Sequence, residues 1–283
     1  MAAYHRPDTL QGALDVLAER PVTIAAGCTD LFPATQARTL SGPVLDITGI
    51  PGLRGISRDE SAVRIGATTS WTDVIRADLP PAFDMLKQAA REVGSVQIQN
   101  SGTVAGNICN ASPAADGMPC LMALEAQVEL ASANGTRTLP LSHFVNGPRQ
   151  TALEPGELVT AITIPEAATR GTSRFLKLGA RKYLVISIAM VAVRLDIEGG
   201  TVRDAALAVG ACSAVATRLT DLEATLTGQS ASDLSQHVTH ATVAAALSPI
   251  DDIRADGPYR AHAAAELLRR AIDDLTQPAK AAA

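Results

Sequence analysis

The stretch from Gly94 to Asp116, GSVQIQNSGTVAGNICNASPAAD, constrains this chain more than any other. It holds three glycines, three asparagines and a single carboxylate, at its end. It has too few large side chains for a core helix and too little charge for a disordered tail. Its glycines would let the backbone approach a ligand closely and direct N–H groups at it. The composition therefore predicts a ligand-binding loop.

A second stretch of small residues lies upstream, Ala25-Ala26-Gly27-Cys28-Thr29-Asp30, directly after the apolar run Val22-Thr23-Ile24. Two loops of this kind, each with free N–H groups, suit a diphosphate, so we predict a dinucleotide held between them. Taken alone, the first loop is equally compatible with an ordinary strand-to-helix turn. It has one glycine and no βαβ crossover follows it, which disfavours the Rossmann mode of nicotinamide binding.

The segments Thr103-Val104-Ala105-Gly106-Asn107 and Ala111 to Asp116 combine a tight backbone with an amide, hydroxyls and a carboxylate. A purely structural turn would need far fewer of these features. We expect Thr103 and the N–H groups of residues 105–107 to bind phosphate oxygens. Asp116 suits ribose or ribitol hydroxyls.

Composition excludes several other function classes. The net charge is -5, aromatic residues make up 3%, and no basic block is present, which argues against nucleic-acid binding. The four cysteines form no C-x-x-C pair, and neither a metal site nor a catalytic constellation is predicted. The longest apolar run, Leu184 to Val193, is far shorter than a membrane span, and the amino terminus lacks a signal-like segment, so we expect a cytoplasmic protein.

The order of the predicted elements indicates an α+β fold. A helix, a strand, the first loop and a second strand form a small lobe ending near residue 54. Strands and helices then follow, with a hairpin at Asn134-Gly135. Beyond residue 172, two strands flank Glu198-Gly199-Gly200, and helices are predicted over 214–226, 232–247 and 258–275.

The two loops carry a resemblance to a known family. The chain is similar to the FAD-binding medium subunit of the xanthine dehydrogenase and carbon monoxide dehydrogenase family of molybdenum hydroxylases. In that family the first loop usually reads A-G-G-x-[ST], which residues 25–29 resemble, and the second usually reads T-I-G-G-[NS], which residues 103–107 resemble. The continuation A-S-P-x-x-D matches Ala111 to Asp116. The resemblance extends over nearly the whole chain.

The resemblance implies FAD as cofactor and a fold of two parts. Residues 1–171 would form a two-lobed FAD-binding domain of the vanillyl-alcohol-oxidase (PCMH) type, with lobes of about 1–54 and 55–171. Residues 172–283 would form a carbon monoxide dehydrogenase-type domain with an antiparallel sheet and helices. The residues expected to contact FAD are Ala25, Ala26, Gly27, Cys28, Thr29, Asp30, Thr103, Val104, Ala105, Gly106, Asn107, Asp116, Val159 and Lys177.

The resemblance also implies partners. A large subunit would carry the molybdenum cofactor and oxidise the substrate, and a small subunit would carry two [2Fe–2S] clusters, in an (αβγ)2 assembly. Electrons would pass from those clusters through FAD to an external acceptor. The substrate stays open between carbon monoxide, an aldehyde and an N-heterocycle, and so does the acceptor.

Two positions depart from the family pattern, because Ala26 and Ala105 stand where glycine is usual. A Cβ there is costly only if φ is positive or if a phosphate approaches the Cα. Two alternatives stay open at this point, and the alanines favour only the second. One is a stand-alone flavin oxidoreductase, which would need catalytic groups of its own. The other is a flavin-free scaffold that only docks partner subunits.

Overall fold

A small parallel sheet begins the fold in the computed structural model, which describes residues 3–37 and 39–277. Its strands, in the order β1-β3-β2, are β1 (Tyr4–His5), β2 (Thr23–Ala25) and β3 (Val44–Asp46). Helix α1 (Leu10–Glu19) connects β1 to β2, and the short α2 (Leu31–Ala34) follows β2. The N-cap of α1 is Thr9, whose hydroxyl accepts a hydrogen bond from the Gly12 N–H at 3.2 Å.

A five-stranded antiparallel sheet forms the centre of the middle lobe. Its order is β4-β5-β10-β6-β7, from the strands β4 (Ile56–Arg58), β5 (Ala62–Gly66), β6 (Gln127–Ser132), β7 (Gly135–Pro140) and β10 (Leu158–Pro165). The predicted hairpin at Asn134-Gly135 joins β6 to β7. A second, two-stranded sheet contains β8 (Val145–Gly147) and β9 (Gln150–Thr151).

Helices cover this sheet and include the segment that the sequence predicted as a loop. They are α3 (Trp71–Arg76), α4 (Asp84–Glu92), α5 (Val96–Ser101), α6 (Val104–Asn110), α7 (Gly117–Ala123) and α8 (Leu141–Phe144). The prediction that residues 94–116 are a loop was wrong. Their small side chains permit the short helices to pack closely together, with Ile108 of α6 and Trp71 of α3 both buried among them.

The remaining chain forms a four-stranded antiparallel sheet in sequence order, backed by helices. The strands are β11 (Thr172–Leu178), β12 (Ala189–Glu198), β13 (Thr201–Gly210) and β14 (Thr217–Arg218). The helices are α9 (Thr220–Leu226), α10 (His240–Ala246) and α11 (Gly257–Thr276). The helix predicted over 214–226 is shorter than expected because Thr217 and Arg218 pair with β13 as β14 and the helix begins only at Thr220. The helix predicted over 232–247 is divided into a 3-10 helix (Ala231–His237) and α10.

Alternating side chains attach this sheet to the rest of the molecule. On β12, Met190 and Ala192 belong to the core of the middle lobe, whereas Val191 and Val193 belong to the core formed with the carboxyl-terminal helices. Because successive residues of a strand face opposite sides, both faces of the sheet are buried. This packing places β11 beside α4 and β12 beside α7.

Candidate cofactor site

The loop after β2 presents a row of unused hydrogen-bond donors. Among the residues that the structure describes, none of the five backbone N–H groups of residues 26–30 donates to a protein acceptor. Cys28 has φ +56, in the left-handed region. Consecutive N–H groups around a left-handed residue form a concave site for an anion. The loop therefore has the properties that the sequence predicted for it.

Gly27 brings this loop against the second predicted segment. A Cβ on Gly27 would overlap the carbonyl oxygen of Ser101 and lie 2.8 Å from the Cα of Gly102. A Cβ on Gly102 would in turn lie 3.3 Å from Oγ1 of Thr29. Only glycine permits this backbone-to-backbone contact. The two small-residue segments, about 75 residues apart in sequence, therefore meet.

Residues 103–107 of the second segment form the amino-terminal turn of α6 and its cap. Thr103 is its N-cap, and its hydroxyl accepts from the Gly106 N–H at 3.0 Å, while the Asn107 N–H donates to the Thr103 carbonyl. The Val104 N–H donates to Thr69. We expected Thr103 and the N–H groups of residues 105–107 to bind phosphate. Two of those N–H groups, on Gly106 and Asn107, are already hydrogen-bonded within the helix to Thr103. Among the donors of residues 105–107, only the Ala105 N–H has no acceptor in the described residues.

Asn107 supplies a further unused group. Its Oδ1 is buried and has no hydrogen-bond partner in the described structure. A Cβ placed on Gly117 would lie 3.1 Å from that oxygen, so glycine at 117 leaves room beside it. A buried amide oxygen without a donor costs free energy, and a bound N–H or O–H group would remove that cost. Free N–H groups at 26–30 and this buried acceptor fit a cofactor that carries both phosphates and hydroxyl or imide donors.

Asp116 and Lys177 are brought together, although they lie 61 residues apart. Lys177 Nζ donates to Asp116 Oδ2 at 2.7 Å, and the Ser187 hydroxyl donates to Asp116 Oδ1 at 2.6 Å. The side chains of Asp116 and Lys177 are only 8% and 7% exposed. Burial raises the pKa of Asp116, while Lys177 and Ser187 oppose that shift by stabilising the carboxylate. Ser187 was missed from the sequence, where no motif marks it.

Val159 lies inside the core of the middle lobe, 4% exposed, at an irregularity in the pairing of β10 with β6. Helix α6 packs against β10. Val159 can therefore contribute apolar packing near the site, and its side chain offers no polar contact.

The alanines that depart from the family pattern are not strained. Neither Ala26 nor Ala105 has a positive φ, and Ala105 lies within the first turn of α6, where alanine is favourable. The backbone of both positions therefore accepts a Cβ. The left-handed residue of the first loop is Cys28 instead.

Cys28→Gly is expected to stabilise the chain by about 0.5–1 kcal/mol. A left-handed conformation costs a non-glycine residue about 1–2 kcal/mol, and the extra backbone entropy of glycine offsets about 0.5–1 kcal/mol of that gain. Thermal unfolding of the purified chain measures the change. Cys28→Val, which puts a β-branched side chain in the same conformation, should lower the melting temperature. Equal melting temperatures for both variants would show that the loop carries no strain at this position.

Comparisons with known proteins agree with this geometry. Residues 1–167 match the family described as the FAD binding domain in molybdopterin dehydrogenase, and residues 174–275 match the CO dehydrogenase flavoprotein C-terminal domain. The chain belongs to this family of FAD-binding medium subunits. The predictions of the family, of FAD as the cofactor and of the α+β fold are therefore confirmed.

Individual relatives cover nearly the whole chain. The glyceraldehyde dehydrogenase medium chain of Sulfolobus acidocaldarius is 30% identical over 96% of this chain and 98% of its own. The carbon monoxide dehydrogenase medium chain of Afipia carboxidovorans is 32% identical, covering 98% and 97%. The reconstituted CO dehydrogenase from Oligotropha carboxidovorans superposes with a TM-score of 0.88 at 29% identity, covering 98% of both chains. These relatives are dehydrogenase subunits, so the chain is an oxidoreductase subunit.

The described residues contain no helix that is long and apolar enough to cross a membrane. Within the same residues, no group of three or more His, Cys, Asp or Glu side chains could hold a metal ion.

Proposed function

We propose that this chain binds FAD between the first loop and the start of α6 and passes electrons from [2Fe–2S] clusters of a partner subunit to an external acceptor. The observation that carries the proposal is the row of five N–H groups at 26–30 without protein acceptors, packed through Gly27 against Gly102. When bound, FAD supplies the redox chemistry, and the protein supplies binding and electrostatics.

Each predicted contact residue receives a role in this proposal. The N–H groups of residues 26–30 and of Ala105 hold the diphosphate, and the buried Oδ1 of Asn107 accepts a hydrogen bond from the cofactor. Asp116 holds sugar hydroxyls with lone pairs that Lys177 and Ser187 leave free, because each carboxylate oxygen accepts more than one hydrogen bond. Lys177 contributes positive charge, and Val159 packs behind α6. The remaining predicted positions, Ala25, Thr103, Val104 and Gly106, shape the backbone.

We also propose the partners and domain limits that the resemblance implies. A large molybdenum-cofactor subunit and a small [2Fe–2S] subunit would join this chain in an (αβγ)2 complex, with substrate oxidised on the large subunit. The domains would be 1–171, in lobes of about 1–54 and 55–171, and 172–283. Support comes from relatives named as medium chains and from the family matches, which end at 167 and begin again at 174.

A cytoplasmic location belongs to the same proposal. The four cysteines are free thiols, and burial raises the pKa of Cys212 to about 12, so this thiol stays protonated. Free thiols are typical of a reducing compartment. Fractionation of the native host with antibody to this chain tests the location.

The function is tested in two steps. The visible spectrum of the purified chain, followed by heat release of its chromophore, should give FAD. A chain that stays colourless with added FAD, alone and when co-expressed with its partners, would support the scaffold alternative instead.

In the assembled complex, a panel of carbon monoxide, aldehydes and N-heterocycles should reduce an acceptor dye. A complex depleted of FAD should still bleach the cluster absorbance with substrate but fail to reduce the dye. Dye reduction at an unchanged rate without FAD would overturn the electron-transfer role.

A further inference from the structure

One buried carboxylate binds both ends of a loop. The pairing of β11 with β12 ends at Leu178 and Ala189, and the connection between them, residues 179–188, begins with the loop 179–186. Lys177 precedes this loop and Ser187 follows it, and both donate to Asp116, at 2.7 and 2.6 Å. Asp116 lies on a different lobe, at the start of α7. The two bonds therefore tie the loop to the middle lobe as well as to itself.

The 179–186 loop is also closed internally. The Arg181 guanidinium donates to the carbonyl oxygens of Tyr183 and Leu184, at 3.0 and 3.1 Å. Leu184 has φ +50, a conformation that a leucine adopts only when its surroundings impose it. A Cβ on Gly179 would lie 2.5 Å from Val185, so the two ends of the loop are in close contact. Opening the ends would release this strained arrangement.

The closed loop forms one wall of a cleft of about 560 Å³ between α4 and β11. Arg91 on α4, and Arg181 and Lys182 on the loop, line this cleft, and none of the three forms an ion pair with a carboxylate among the described residues. Three unpaired cations at one cleft are notable in a chain of net charge -5. The position of two of them depends on the conformation of the loop.

We propose that Asp116 is a positioning residue that holds the 179–186 loop closed against the α4–β11 cleft, with Lys177 and Ser187 as the two groups it binds. This role is separate from cofactor contact and does not require FAD. The buried carboxylate accepts from both donors, and removing either donor takes away one of the two bonds that attach the ends of the loop to the middle lobe. Arg181 and Lys182 then leave the rim of the cleft.

Trypsin reports directly on the loop, because Arg181 and Lys182 are exposed cleavage sites within it. In the full-length chain, Ser187→Ala should raise the rate of cleavage after these residues by about tenfold. Trypsin cleaves the opened form of the loop, so the cleavage rate follows the population of that form. The tenfold increase is the size expected when one hydrogen bond to a charged group is lost. Ser187→Thr, which keeps the hydroxyl, should restore the wild-type rate. Fragment masses identify the cleaved bond.

Ser173→Ala is the matched control, since Ser173 is equally buried on β11 and its hydroxyl bonds Met85 and Pro81 away from the loop. It should leave cleavage after Arg181 and Lys182 within about twofold of wild type. If Ser187→Ala fails to fold, Asp116→Asn tests the other end, because it removes the ion pair with Lys177, and the same cleavage should increase. Unchanged cleavage in a folded Ser187→Ala or Asp116→Asn chain, or an equal increase in Ser173→Ala, would overturn the proposal.

Discussion

Gly27→Ala is expected to remove bound FAD from the chain and to lower its melting temperature. The added Cβ would overlap the Ser101 carbonyl and lie 2.8 Å from the Gly102 Cα, and both are backbone atoms that no rotamer change can move. Overpacking of this kind costs about 1–3 kcal/mol, and each kcal/mol corresponds to about 2–4 °C in a domain of this size.

The same substitution separates the two parts of the proposed diphosphate site. When the first loop moves away from Gly102, the N–H groups of residues 26–30 lose their alignment with the start of α6. We expect FAD affinity to fall by more than about tenfold, the equivalent of 1.4 kcal/mol. Flavin content of the purified chain and titration with FAD followed by flavin fluorescence measure the loss.

Gly52→Ala provides the control, because Gly52 lies in the 3-10 helix 51–53 of the same lobe, has no positive φ, and has open space around its missing Cβ. It should keep full flavin content and an unchanged or slightly higher melting temperature. A Gly27→Ala chain that retains FAD and melts like the Gly52→Ala chain would contradict the proposed contact between the two segments.

The unused N–H groups of the first loop could be predicted because their signal is local. An apolar strand followed by Gly27 and other small residues requires a tight turn whose N–H groups have no strand partner, and the structure has such a turn. The second segment shows where this reasoning fails. Small residues around Thr103 and Gly106 were interpreted as a loop, but they form the capped start of a helix, since the same residues also permit close helix packing.

Contacts between distant segments could not be predicted from residue types. Asp116 was assigned to the cofactor from the A-S-P-x-x-D motif, and its ion pair with Lys177 depends on how the carboxyl-terminal sheet packs against the middle lobe. Ser187 carries no local signal, because nothing in the stretch Ile186-Ser187-Ile188 distinguishes a serine that binds Asp116 from one that packs in the core. Its position two residues before β12, whose two faces are both buried, is decided by tertiary packing.

Lys177→Met should destabilise the chain by about 3–5 kcal/mol, because it leaves Asp116 buried without its counter-ion. The two side chains are 7% and 8% exposed, so water cannot replace the lost ammonium group. Chemical or thermal unfolding of the full chain measures the loss. The double variant Asp116→Leu with Lys177→Met removes both charges and should recover most of the stability, since replacing a buried pair by apolar groups is often neutral.

The pH dependence of this loss identifies its cause. Burial already raises the pKa of Asp116, and removal of Lys177 raises it further, because Lys177 opposes the shift. A carboxyl whose folded-state pKa exceeds its unfolded value binds its proton more tightly when folded, so the folded state gains stability as the pH falls through that raised pKa and loses it as the pH rises. The loss in free energy of unfolding caused by Lys177→Met should therefore be largest at alkaline pH. It should shrink as the pH is lowered toward the ordinary range of carboxyl pKa values. A deficit that stays constant with pH would mean that lost packing of the lysine stem, rather than an uncompensated carboxylate, is responsible.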